Sequence, residues 1–124
     1  MKLYTFFRSS AAFRVRIALN LKGAKYESIP KAFAKREHRA QEYLAVNPQG
    51  LIPALDDDGS VLSQSLAIIE YLNEKIPQPP FLPADPVGRA QVRSMAQAIA
   101  CYIHPLNNLR VLNYLRKEPG KTDD

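Results

Sequence analysis

The stretch Asn47-Pro48-Gln49-Gly50-Leu51-Ile52-Pro53-Ala54-Leu55 decides how this chain folds. Proline and glycine punctuate its first half, so it enters as a loop. Pro53 then gives way to the apolar pair Ala54-Leu55. Asp56-Asp57-Asp58-Gly59 follows, and then Ser60-Val61-Leu62. Two short apolar runs around an Asp-Gly pair predict a hairpin. The three consecutive aspartates match no calcium-loop spacing, so they read as the turn and its flank.

Upstream, Lys2 to Phe6 reads as a short buried strand, because Leu3, Tyr4, Thr5 and Phe6 are good strand formers. From Ala11 to Leu21 the apolar positions Val15, Ala18, Leu19 and Leu21 recur near helical spacing, and Gly23 stops the helix. Tyr26 to Ile29 can form a second strand ending at Pro30. Strand, helix and strand this close together predict parallel pairing and a right-handed crossover. Lys31 to Glu42 carries Lys31, Lys35, Arg36 and Arg39 against Glu37 and Glu42, and reads as a solvated loop and helix face. Tyr43, Leu44 and Val46 close a short helix.

Downstream, Ser65 begins a strong helix. Leu66, Ile69, Leu72 and Ile76 fall on one face, with Glu70, Asn73, Glu74 and Lys75 largely on the other. The order βαβ-α-ββα, with proline ahead of the third strand, is a thioredoxin-like α/β arrangement. Pro77, Pro79, Pro80, Pro83 and Pro86 then stiffen the backbone and predict a linker. The expected domains are 1–76, a linker over 77–85, and an incomplete all-α domain over 86–124. Asp85-Pro86 is a helix start. That helix is expected to run to about Lys117 with a kink at Pro105, and Gly120 to Asp124 reads as a frayed end. Val92, Met95, Ala96, Ile99, Ile103, Leu106, Leu109 and Leu112 give it a long apolar stripe. One helix cannot bury such a face unaided, which predicts a homodimer, a truncated helical domain, or both.

Composition narrows the function. The 124 residues are 46% hydrophobic and 23% charged, an ordinary globular balance. No apolar run is long enough to span a membrane, and an arginine and two serines follow the start too soon for a signal-peptide core. The net charge of +5 favours anionic partners. The basic residues are scattered through every segment, which speaks against nucleic acid and leaves small acidic metabolites. One cysteine, Cys101, excludes an internal disulfide, points to a reducing, cytoplasmic setting, and reads as a small core residue.

Dithiol redox chemistry needs two cysteines two residues apart where the first helix begins. That position holds Ser9-Ser10-Ala11-Ala12, so any thiol must come from a ligand. Exposed N–H groups and the helix dipole favour negative charge there. Ser9 and Ser10 can cap the helix, or donate to a ligand thiolate. Lowering a thiol from about 8.5 by two units takes roughly 2.7 kcal/mol. One charge-assisted hydrogen bond of roughly 1.5–3 kcal/mol plus a dipole contribution suffices. Gln64 and Ser65 open another helix and invite the same two readings. His38 and His104 lack metal-ligand spacing to other candidates, so no metal is expected.

Several motifs together resemble the zeta class of glutathione transferases. They are Arg8-Ser9-Ser10 with Arg14-Val15-Arg16-Ile17-Ala18-Leu19, the loop Asn47 to Pro53, the run Gln64 to Leu72, Leu82-Pro83-Ala84-Asp85-Pro86, and His104-Pro105-Leu106-Asn107-Asn108-Leu109. The resemblance covers nearly the whole chain, and members of the family are appreciably longer. It implies glutathione as cofactor and cis–trans isomerisation of maleylacetoacetate or maleylpyruvate. It implies that Ser9 is the catalytic hydroxyl with Ser10 assisting, and that Arg8 positions an acidic substrate. It places a cis bond at Ile52-Pro53, Gln49 beside the ligand, Gln64 and Ser65 at its γ-glutamyl carboxylate, His38 near its glycine carboxylate, and His104 and Asn108 at the cleft. The family often has cysteine after the serine pair, where this chain has Ala11. Two alternatives stand beside this: a non-catalytic glutathione-binding or interaction module, and general conjugation to small electrophiles. Arg14 and Arg16 read as solvated or ion-paired.

Overall fold

β1 (Lys2–Thr5) occupies an interior position of a four-stranded sheet ordered β2-β1-β3-β4, in a computed structural model that describes residues 1–117. β2 (Glu27–Pro30) pairs parallel to β1, with Leu3 opposite Ser28. The crossover between them is α1 (Ser10–Leu21), as the βαβ pattern predicts. β3 (Ala54–Asp57) lies antiparallel to β1, and β4 (Ser60–Ser63) antiparallel to β3. Asp57 faces Ser60 across a two-residue turn in which Asp58 and Gly59 have φ of 51° and 90°. Both turn residues are thus left-handed, the conformation an Asp-Gly hairpin demands. Asp56 Oδ1 accepts from the Gly59 N–H at 2.8 Å, so one of the three aspartates closes the turn. Asp57 is buried and faces Tyr71 and Lys75. Those two partners hold its carboxyl below the ordinary carboxylate value.

Successive strand residues point to opposite faces, and the core divides accordingly. Leu3 and Leu55 join Val15, Ala18 and Leu19 of α1 and Ile68 and Leu72 of α3 (Ser65–Lys75). Ala54 joins Tyr43 of α2 (Gln41–Val46), Ile52 and Ala12 in a second cluster. A fully buried leucine or isoleucine contributes roughly 1.5–3 kcal/mol. The buried stripe of α3 differs from the expected one. Ile68 and Leu72 are fully buried, whereas Leu66 and Ile69 are half-buried. Both stripes are apolar and share Leu72, so periodicity alone favours neither. Asn73 also leaves its expected solvent face. Its Oδ1 accepts from Lys22 Nζ at 3.0 Å and from the Phe81 N–H at 2.8 Å. Lys22 also donates to the Pro79 carbonyl and lies 4.1 Å from the Phe81 ring centroid. Residues 77–81 thereby dock on the first of two compact units, Met1–Phe81 and Leu82–Asp124.

In the second unit, Asp85 Oδ1 accepts from the Gly88 N–H at 2.6 Å and Pro86 opens α4 (Pro86–Gln97), the expected cap. The single kinked helix does not form. A π-helical turn spans Ala98–Ile103, followed by α5 (His104–Leu106), a break at Asn107-Asn108, and α6 (Leu109–Leu115). Pro105 has no N–H and its ring crowds the carbonyl four residues back. Widening the preceding turn relieves that crowding. No residue of these helices is buried. Cys101 is therefore exposed rather than in a core, and Met95, Ile99, Ile103 and Leu106 are each more than half exposed. The expected frayed end from Gly120 lies outside the described residues.

Candidate functional site

α1 begins where the chain leaves β1 through Phe6, Phe7 and Arg8. Arg16, two turns along the helix, reaches back to hold that loop. Its Nη1 donates to Thr5 Oγ1 at 2.8 Å and to the Phe6 carbonyl at 3.2 Å, and its Nη2 to the Phe7 carbonyl at 3.3 Å. Ser9 is extended (φ −77°, ψ 114°) and is the N-cap, its Oγ accepting from the Ala12 N–H at 3.2 Å. A hydroxyl has two lone pairs and one hydrogen. The cap takes a lone pair and leaves the O–H free to donate, so capping and donation to an anion are compatible. Ser9 is half-buried, whereas Arg8 and Ser10 are exposed. A groove lined by Phe6, Arg16, Pro30, Lys31 and Glu37 among others contains none of the expected site residues.

The loop before β3 is held from within. Asn47 Nδ2 and the Tyr43 hydroxyl both donate to the Leu51 carbonyl, at 2.8 and 2.6 Å. Gly50 has φ +59°, and a Cβ there would lie 2.8 Å from Arg39 Nη1 and 3.1 Å from the His38 carbonyl. Glycine is therefore required for the His38 segment to approach. The Ile52-Pro53 bond is cis, as expected, and Ile52 lies just ahead of the β3 ladder. Gln64, at φ +69°, donates from Nε2 to Gln49 Oε1 at 3.0 Å, so these two expected ligand contacts do meet.

Ser65 stands in the first turn of α3 and is 9% exposed. Arg14 Nη1 donates to its Oγ at 3.4 Å, across 51 residues of sequence. Burial lowers the half-buried Arg14 from its ordinary value without discharging it. Arg14 and Arg16 thus bond neutral oxygens, which corrects the solvated or ion-paired expectation. Nothing in their spacing signals these roles. His38 stacks on Phe33 with ring centroids 4.0 Å apart and an interplanar angle of 15°, and its Nδ1 is buried without a hydrogen-bond partner. Burial, then Arg39 and Arg36, lowers its pKa. It is therefore more than the surface residue its charged surroundings suggest. His104 opens α5 and Asn108 is the N-cap of α6, both in the second unit. No cluster of three or more metal-ligating side chains occurs among the described residues. No helix among them is long and apolar enough to cross a membrane.

The family model for the glutathione S-transferase N-terminal domain matches residues 1–74. The chain belongs to this family. It is 53% identical over 120 residues to a maleylpyruvate isomerase from Ralstonia, covering 97% of this chain and 57% of that protein. It is 54% identical over 120 residues to a maleylacetoacetate isomerase from Pseudomonas aeruginosa, covering 94% and 57%. A solved holo structure of a bacterial zeta-class maleylpyruvate isomerase superposes with a TM-score of 0.94 at 52% identity, over 98% of this chain and 57% of that one. A maleylacetoacetate isomerase from Methylobacterium extorquens, solved with malonate and glutathione bound, gives 0.92 at 48% identity, over 98% and 57%. This glutathione S-transferase chain, with its thioredoxin-like first unit, therefore resembles the zeta class in both sequence and structure. It spans just over half the length of these relatives.

Proposed function

We propose that this chain carries the glutathione-binding half of a glutathione-dependent cis–trans isomerase acting on a maleyl keto-acid, maleylacetoacetate or maleylpyruvate. The observation that carries the reading is Ser9: its oxygen is fixed by the Ala12 N–H and its hydrogen remains available at the start of a helix. A donor in that field favours thiolate over thiol. Glutathione thiolate adds to the activated double bond of the substrate, and the former double bond rotates as a single bond. Thiolate is then expelled, leaving the trans fumaryl product and regenerated glutathione. No protein thiol takes part, so Ala11 after the serine pair is no obstacle.

Ser9 donates to the sulfur and Ser10 assists. Gln64 and Ser65 hold the γ-glutamyl carboxylate at the N-terminus of α3. Ile52, ahead of Pro53, pairs its main chain with the tripeptide in the manner of an added strand, and Gln49, bonded to Gln64, is a polar contact to the same ligand. His38 faces the glycine carboxylate. Arg8 grips a substrate carboxylate, and His104 and Asn108 stabilise charge developing on substrate oxygens. The bound malonate of the Methylobacterium extorquens relative supports a small dicarboxylate as the acidic partner. The matching domains are a glutathione-binding domain over 1–76, a proline-rich connector over 77–85 and a helical segment from 86. The exposed stripe through Met95, Ile99, Ile103 and Leu106 supports a homodimer, and the lone cysteine supports a cytoplasmic setting.

The test is calorimetry with glutathione, together with an assay of maleylacetoacetate and maleylpyruvate with and without it. Binding and glutathione-dependent formation of a fumaryl product are expected. Binding without isomerisation of either substrate removes the enzyme reading and leaves a binding module. Absence of both overturns the site.

A further inference from the structure

The side chain that reaches Ser65 comes from a different helix, and it is charged. Arg14 Nη1 donates to Ser65 Oγ at 3.4 Å. Its partner is a neutral oxygen, in contrast to Lys75, which faces the Asp57 carboxylate. The bond to Ser65 brings the Arg14 guanidinium to the first turn of α3. Ser65 as a residue is 9% exposed at the start of α3, where the helix N–H groups already favour an anion. Accepting from Arg14 commits one Ser65 lone pair, so the hydroxyl hydrogen is left to point elsewhere.

We propose that Arg14 is a positioning residue for an α-amino-acid carboxylate at the start of α3: it fixes the Ser65 hydroxyl as a donor and adds positive charge behind it. This rests on glutathione binding as read above and deepens it, because it predicts which end of the tripeptide Arg14 controls. Arg14 touches neither sulfur nor substrate in this role. It acts through Ser65, and its effect belongs to ligand binding rather than to thiolate formation.

Calorimetry on the full chain with two probes tests this. One probe is glutathione. The other is γ-aminobutyryl-cysteinyl-glycine, which lacks only the α-carboxylate of the γ-glutamyl residue. Arg14→Met should weaken glutathione binding about tenfold, the scale of losing one hydrogen bond to a charged group, and change the affinity of the analogue by less than about twofold. Ser65→Ala should cost a similar factor. The double variant should bind no worse than about twofold below the weaker single one, because coupled residues do not add. Multiplicative losses in the double variant, equal losses for both probes, or no loss at all overturn the proposal. Absence of glutathione binding in the unmodified chain overturns the binding reading itself, a distinct result. If Arg14→Met gives no cooperative thermal transition, Arg14→Gln carries the test. It keeps a neutral donor and should lose at least about threefold for glutathione alone, whereas unchanged affinity overturns the role.

Discussion

α1 and α3 each place a serine at their N-terminus, and they hold it by different means. At α1, Ser9 is fixed by its own helix, through the N–H of Ala12 three residues on. At α3, Gln64 offers no side-chain cap and its backbone is left-handed. Ser65 is instead met by Arg14 from across the fold, and the helix is seated by Ile68 and Leu72 in the core. One end is organised by local chemistry, the other by tertiary packing. A local cap survives modest changes elsewhere in the domain. An end positioned by packing inherits every defect of the core.

The largest expected effect tests that second statement. Leu72→Ala should lower the unfolding free energy by about 2–5 kcal/mol, the cost of a cavity at a fully buried leucine. Urea unfolding measures it. A loss no greater than that of removing the Ser9 cap breaks the contrast between the two ends. Ser9→Ala comes next. It should reduce isomerase turnover roughly 10- to 150-fold by removing a hydrogen bond to thiolate. Glutathione affinity should stay nearly constant, and stability should fall by only about 1 kcal/mol for the lost cap. Unchanged turnover, measured at saturating glutathione, removes Ser9 from the chemistry.

The smallest effect concerns His38. Its lowered pKa means the fold favours the neutral ring, so the unfolded chain binds more protons. The resulting stability is complete above the ordinary histidine value of about 6.5 and is lost as pH falls through the folded value. Thermal midpoints recorded from pH 7.5 to 5 should therefore decline, and His38→Phe, which keeps a ring against Phe33, should flatten the decline. An unaltered slope shows that other groups cause it.

Local chemistry was legible in the sequence and distant contacts were not. The Asp58-Gly59 turn, the Ser9 and Asp85 caps and the parallel pairing of β1 with β2 each follow from residues close together in the chain. The bond from Arg14 to Ser65 and the stacking of Phe33 on His38 depend on how loops and helices pack. The α3 stripe was ambiguous because Leu72 belongs to both candidate faces. Cys101 is exposed although residues of its type are usually buried, because this segment offers no core.

The wide turn at Ala98–Ile103 has a consequence for the phase of the second unit. An i→i−5 bond, seen where the His104 N–H meets the Ile99 carbonyl, inserts the equivalent of one extra residue into the helical count. Everything beyond it is rotated by about 100° relative to an uninterrupted α-helix. Deleting one residue between 98 and 103 would rewind that offset and swing His104 to another side of the axis without changing any side chain. The bulge thus acts as a vernier, setting the azimuth of residues whose identities alone do not fix it.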